Sequence, residues 1–156
     1  MSVPTFHVVN VTPPIADVEE GNIGTVQPAD VVNCQGSGVS FLYVTGANAT
    51  GNSTMTILAC DDVTPSTTTA VPFVYRSCVA TDVWGDWTAA TAAGFNTGTV
   101  ANSMYHLYVD GAELAEEGYG YVQCTSVEVT DAAVTGGIIA IVHDLRFAPS
   151  NTTLLT

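Results

Sequence analysis

Apolar and polar positions alternate along this chain in short runs, and a period of two predicts strands. From Val39 to Thr45, the side chains of Val39, Phe41 and Tyr43 fall on one face. From Ser53 to Cys60, Thr54 and Thr56 alternate with Met55, Ile57 and Ala59, the pattern of a half-buried strand. Val71 to Val79 reads as a strand with Phe73 and Tyr75 on one side and Arg76 on the other. Met104 to Asp110 and Tyr119 to Val129 read as further strands. From Gly137 to Phe147, Ile139, Ile141, His143 and Leu145 share a face.

Between these runs lie turn residues. Gly46 to Gly51 supplies a Gly/Asn turn, and Asp61 to Ser66 another. Thr81 to Gly98, with Trp84, Trp87 and Phe95, reads as a long packed loop. Gly111 to Gly118 is the one helix expected, about two turns ended by Gly118 just past its C-terminus.

The first thirty residues hold Pro4, Pro13, Pro14 and Pro28 and the acidic Asp17, Glu19 and Glu20. Adjacent prolines cannot sit inside a sheet, so residues 1–30 read as an extended N-terminal arm with one edge strand, Phe6 to Val11. Such an arm either lies on a neighbouring subunit or is a loosely packed terminus. Residues 31–148 form a β-sandwich domain and 149–156 a loose C-terminal tail. Seven or eight mostly antiparallel strands, with no regular strand–helix alternation, predict an all-β antiparallel two-sheet sandwich. The jelly roll is its natural form.

At 156 residues the length fits one ordinary domain, which buries roughly 70% of its unfolded surface and needs no metal or disulfide staple. Charge changes the picture more. Charged residues are 11% of the chain, lysine is absent, and Arg76 and Arg146 are the only bases against fifteen acids. The formal net charge of −13 repels phosphate backbones and anionic lipid surfaces, so neither nucleic acid nor membrane is an expected partner. A surface so poor in charge resembles the core of a protein interface, or simply belongs to a Thr-rich acidic β-protein.

Met1 to Asn10 has no basic segment followed by a long apolar run, so no signal peptide is expected. Ile138 to Val142 is too short to span a bilayer. In a reducing cytoplasm Cys34, Cys60, Cys78 and Cys124 are most simply free, mostly buried thiols. Their spacing matches no zinc pattern, and two disulfides are the alternative that an even count allows.

Chemistry is sparse. His7, His106 and His143 stand apart in sequence from any Cys, Asp or Glu at metal-ligand spacing. Each reads as a structural histidine, although two of them can meet across strands. Asp61-Asp62 reads as a solvated turn rather than a calcium loop, and Glu113, Glu116 and Glu117 as a solvated helix face. Gly36-Ser37-Gly38 is not a nucleophile elbow, and neither a P-loop nor a dinucleotide fingerprint occurs. The expectation is a protein without catalytic, metal or cofactor residues. Trp84, Trp87 and Phe95, with Tyr43 and Tyr75, offer an aromatic platform for sugar, or fill core and interface.

Three blocks carry a resemblance: Val39 to Asp62, Asp82 to Thr88, and Val109 to Val122. In texture and order they resemble small head proteins of tailed bacteriophages, the decoration or cement class, over residues 30–148. The Pro-rich first thirty residues are not covered. The resemblance implies a jelly-roll or related sandwich and a non-enzymatic virion role. The chain is then made in the host cytoplasm and sits on the outer surface of the capsid. There it bridges major capsid protein subunits as a homo-oligomer, a dimer or trimer. The alternative function is a carbohydrate-binding or adhesin module, as on a phage fibre.

Overall fold

In a computed structural model of the chain, residues 7–10, 27–28, 31–34, 38–46, 51–80, 82–99, 101–129 and 136–143 are described, the side chains at 7–10, 27–28 and 128 excepted. The strands are β1 (His7–Asn10), β2 (Gln27–Pro28), β3 (Val32–Asn33), β4 (Gly38–Thr45), β5 (Ser53–Cys60), β6 (Thr68–Val71) and β7 (Phe73–Cys78). There follow β8 (Thr88–Ala90), β9 (Phe95–Asn96), β10 (Met104–Asp110), helix α1 (Gly111–Glu116), β11 (Tyr121–Glu128) and β12 (Gly136–His143).

Two sheets form. The first runs β1-β12-β4-β10-β7-β8; the second runs β2-β11-β5-β6, with β3 on β11 and β9 on β5. Every pairing between named strands is antiparallel. Early strands pair with late ones in nested order: β1 with β12, β2 with β11, β4 with β10, β5 with β6. That nesting is the jelly-roll arrangement of an antiparallel sandwich, widened on one edge by β7 and β8.

The expected alternation places the core. Val39, Phe41 and Tyr43 from β4 and Leu107 from β10 are buried facing Met55, Ile57 and Ala59 from β5. Each large apolar side chain so enclosed contributes about 1.5–3 kcal/mol. Tyr75 of the first sheet stacks on Phe95 of the second, ring centres 3.8 Å apart and planes within 5°, and Phe95 also meets Phe73 and Tyr105. This aromatic cluster ties the added edge of the first sheet to the second.

The helix is specified at both ends. The Asp110 carboxylate accepts from the Ala112 N–H at 2.8 Å, an N-cap. At the other end Gly118 takes φ +88°. The Gly118 N–H donates to the Ala115 carbonyl and the Tyr119 N–H to that of Leu114, the double closure of a Schellman motif. Leu114 is buried and Tyr119 packs against the same core.

The structure amends three expectations. Val71 to Val79 is not one strand: β6 lies in the second sheet and β7 in the first, with Pro72 between them. Proline has no N–H for a ladder, so the chain crosses between sheets where no ladder bond is lost. The stretch read as a long loop from Thr81 to Gly98 contains β8 and β9. Twelve strands are named rather than seven or eight, because β2, β3, β8 and β9 are only two or three residues long. The expected edge strand Phe6 to Val11 is found at His7–Asn10, on the outer edge of the first sheet. Leu145 and the tail 149–156 lie outside the described residues, as do the boundaries at 30 and 148.

Gly94 turns the chain into β9 at φ +77°, and a Cβ there stands 2.0 Å from the Met55 carbonyl oxygen. Gly94→Ala therefore disrupts the β5–β9 pairing and lowers unfolding stability by about 2–4 kcal/mol. Gly120, whose added Cβ meets nothing within 4 Å, tolerates alanine with little change. Urea denaturation of the two variants checks the contrast; equal midpoints would contradict it.

Candidate functional site

Among the described residues, the first sheet's outer face carries a polar assembly that spans several strands. Ser40 on β4 has Tyr108 of β10 directly opposite on one side and Ile141 of β12 on the other. His106 and His143 stand on the diagonals, two residues along on each flanking strand, and diagonal neighbours are within reach of long side chains. Both histidine Nε2 atoms lie 2.8 Å from the Ser40 hydroxyl oxygen. Arg76 on β7 is paired with His106 across the ladder. Its guanidinium donates to His106 Nδ1, from Nε at 3.4 Å and Nη2 at 3.3 Å.

These donors set the protons. Arginine only donates, so His106 Nδ1 is the acceptor and Nε2 carries the hydrogen. Nε2–H donates to the Ser40 hydroxyl, which is also hydrogen-bonded to His143 Nε2. One hydrogen-bonded line thus runs from Arg76 through His106 and Ser40 to His143. Burial, the nearby Arg76 charge and His143 hold His106 well below the ordinary histidine range, at about 4, so it is neutral at pH 7.

Aromatic rings close both ends of the line. The guanidinium carbon of Arg76 lies 4.7 Å from the centre of the Trp84 ring and 4.7 Å from that of Trp87, a double cation–π contact. Both indoles also meet the His106 ring edge to face. At the far end the Tyr108 ring lies against His143 and over Gly38, where a Cβ would come within 2.6 Å of it. The segment from Val79 to Trp87 is fastened to the sheet by Gly85 N–H donating to the Ser77 carbonyl at 2.8 Å.

Around this line the face is apolar: Leu42, Ile139 and Ile141 are half-buried, and Val44 is 38% exposed. Among the described residues the only carboxylate on these outward registers is Asp110, already engaged as the α1 cap.

Ser40 is 2% exposed, and its hydroxyl is shared between two histidines. Its bonds to both histidines hold β10 and β12 in register with β4. Three of the thiols are held protonated at neutral pH. Burial pushes Cys34 and Cys60 up to about 11 and Cys124 to about 12. All four cysteines are free, Cys34, Cys60 and Cys124 buried and Cys78 half-exposed. No group of three or more His, Cys, Asp or Glu gathers among the described residues.

The other singled-out residues separate. Phe95, Tyr43 and Tyr75 belong to the interior, while Trp84 and Trp87 lie with Arg76 on the far side of the first sheet, so the five aromatics make no common platform. The Asp61 carboxylate accepts from the Ser66 hydroxyl at 2.8 Å and from the Ser66 and Thr67 N–H groups, bonds that lower its pKa. The turn uses those oxygens itself. The side chain of His7 lies outside the described residues. Sequence reading did not pick out Ser40: an isolated serine in an apolar run gives no signal of two histidines 66 and 103 residues away.

Compared with protein-family models, with curated proteins and with solved structures, the chain matches none of them.

Because the folded chain binds a proton on His106 less readily than the unfolded one, about 4 against 6.5, acid favours unfolding. This part of the stability is complete above about pH 6.5 and is lost as pH falls toward about 4. The urea midpoint of the wild type is expected to drop more steeply over that window than that of His106→Gln; parallel curves would contradict the assignment. The thiols give a second check. Native protein treated with maleimide labels first at Cys78, and all four cysteines label after unfolding without reductant.

Proposed function

We propose that the chain is a non-enzymatic docking module that decorates the outside of a tailed-phage capsid and stabilises it by bridging major capsid protein subunits. The observation that carries the reading is the outer face of the first sheet. On a chain of net charge −13, this broad surface of Leu42, Val44, Ile139 and Ile141 leaves the acids to turns and ends, and its polar atoms are bonded to one another. A face of that kind suits contact with protein, and the acidic remainder suits an outward position away from DNA. Support for the capsid as the particular surface comes from the resemblance of the three sequence blocks. The mechanism is linkage: a module that binds only the assembled shell stabilises that state by mass action. The role calls for a dimer or trimer of the chain, matched to the local symmetry of the shell.

Co-sedimentation with expanded phage heads lacking the protein tests this, with light scattering on the free chain. Saturable binding at a fixed ratio to the major capsid protein is expected. Absence of binding at micromolar concentration, from a chain that is monomeric in solution, would overturn the proposal.

A further inference from the structure

Val44, Val79, Val83 and Trp87 are exposed at 38%, 54%, 64% and 47%, and all four belong to one end of the first sheet. Val44, Met104 and Cys78 are cross-strand neighbours in a single row there. On this row opens a shallow depression of about 570 Å³, lined also by Val79, Ala80 and Asp82 after β7 and by Ala101 to Ser103 before β10.

Both walls are fixed in place. Asn102 N–H donates to the Gly46 carbonyl at 2.8 Å and Thr45 N–H to that of Ser103 at 2.9 Å, and the Thr45 hydroxyl bridges Ser103 N–H and carbonyl. Val83 N–H donates to the Ala80 carbonyl. Asp82 at φ 60° and Asn102 at φ 53° are the non-glycine residues with left-handed backbone among those described, and both line this depression. Left-handed turns on the two sides bring the walls to face each other, and such conformations gather at functional sites.

We propose that this depression receives an apolar side chain from a basic segment of a partner protein. Charge selects the partner. Asp82 lines the depression beside the exposed Val44 and Val79, and Asp86 follows on the same exposed connection. A second copy of the chain complements it poorly: the sequence holds two bases against fifteen acids, and Arg76 is already held by His106, Trp84 and Trp87. Lysine or arginine beside an aliphatic anchor satisfies both parts of the surface. The inference deepens the docking reading above by naming the chemistry of the partner; it does not need that partner to be a capsid.

The test uses the full ¹⁵N-labelled chain and two synthetic peptides, amidated Lys-Leu-Lys-Leu-Lys and pentalysine. The Leu-bearing peptide is expected to shift amides at 44–46, 78–80, 82–83 and 101–104, whereas pentalysine spreads over the acids. Val79→Asn, which removes apolar surface from the depression without adding charge, is expected to weaken the Leu-bearing peptide about tenfold. Val44→Thr should shift binding in the same direction, with unchanged melting as the control. Asp82→Asn, which keeps a residue tolerant of positive φ, should flatten the salt dependence of binding. Shifts centred on α1, or equal affinity for wild type and both valine variants, would overturn the pocket.

Expanded heads separate the two proposals. Heads that bind wild type and Val79→Asn equally would leave decoration standing and overturn the pocket. Heads that bind neither, while the Leu-bearing peptide still maps to the depression, would overturn decoration and support the pocket.

Discussion

Strand β4 must satisfy two environments at once, and the rest of the molecule is arranged around that demand. Val39, Phe41 and Tyr43 are fully buried between the sheets, while Ser40, Leu42 and Val44 serve the opposite face. The strand has neighbours on both sides, β12 and β10, so a slip of one residue would turn its aromatic rings outward and bury Ser40 in the core. The apolar interior resists that slip from within. Outside, the hydrogen bonds from Ser40 to His106 and His143 resist it independently, because they close only when β10 and β12 are both in register with β4. A buried polar group specifies an arrangement in this way when every member of its network is satisfied.

A chain with fifteen acids and two bases cannot balance its carboxylates with ion pairs. Most of the described ones stand where strands turn or on the helix: Asp61 and Asp62 between β5 and β6, Asp82 and Asp86 between β7 and β8, Glu113, Glu116 and Glu117 on α1. Some are held by backbone donors. Asp61 takes N–H groups of Ser66 and Thr67, and Asp110 takes that of Ala112. Charge-assisted bonds to backbone amides do here what lysine and arginine do elsewhere, and they double as turn and cap signals.

Most of the fold was legible because it is written in local alternation. Met104–Asp110 is a strand at the boundaries its pattern predicts, and the helix from Gly111 ends at Gly118 as the C′ residue. The readings that failed depend on distant partners. Nothing local to Phe95 and Asn96 signals a strand; they pair because β5 presents Thr54 and Met55 to them. Val71 to Val79 is continuous in hydropathy, and only the sheet each half joins reveals a break at Pro72. The site was legible in part. Arg76, Trp84 and Trp87 lie close in sequence and meet in space, whereas the His106–Ser40–His143 contact spans three strands that are far apart in the chain. That histidines can meet across strands follows from their placement; which serine joins them does not.

The same polar line bears on what the outer face can do. Covering a face with another protein removes its groups from water, and unpaired polar groups or charges then cost several kcal/mol. Here the donors and acceptors of Arg76, His106, Ser40 and His143 are already directed at one another. His106 is neutral at pH 7, and the one formal positive charge, on Arg76, is already flanked by two indole rings. Few hydrogen bonds to solvent are given up when this surface is covered, and the apolar area of Leu42, Val44, Ile139 and Ile141 adds its gain with little opposing cost. A sandwich whose second side must stay wet would place charged residues on these registers. Here, among the described residues, the charged groups on these registers are Arg76, flanked by Trp84 and Trp87, and Asp110, engaged as the α1 cap.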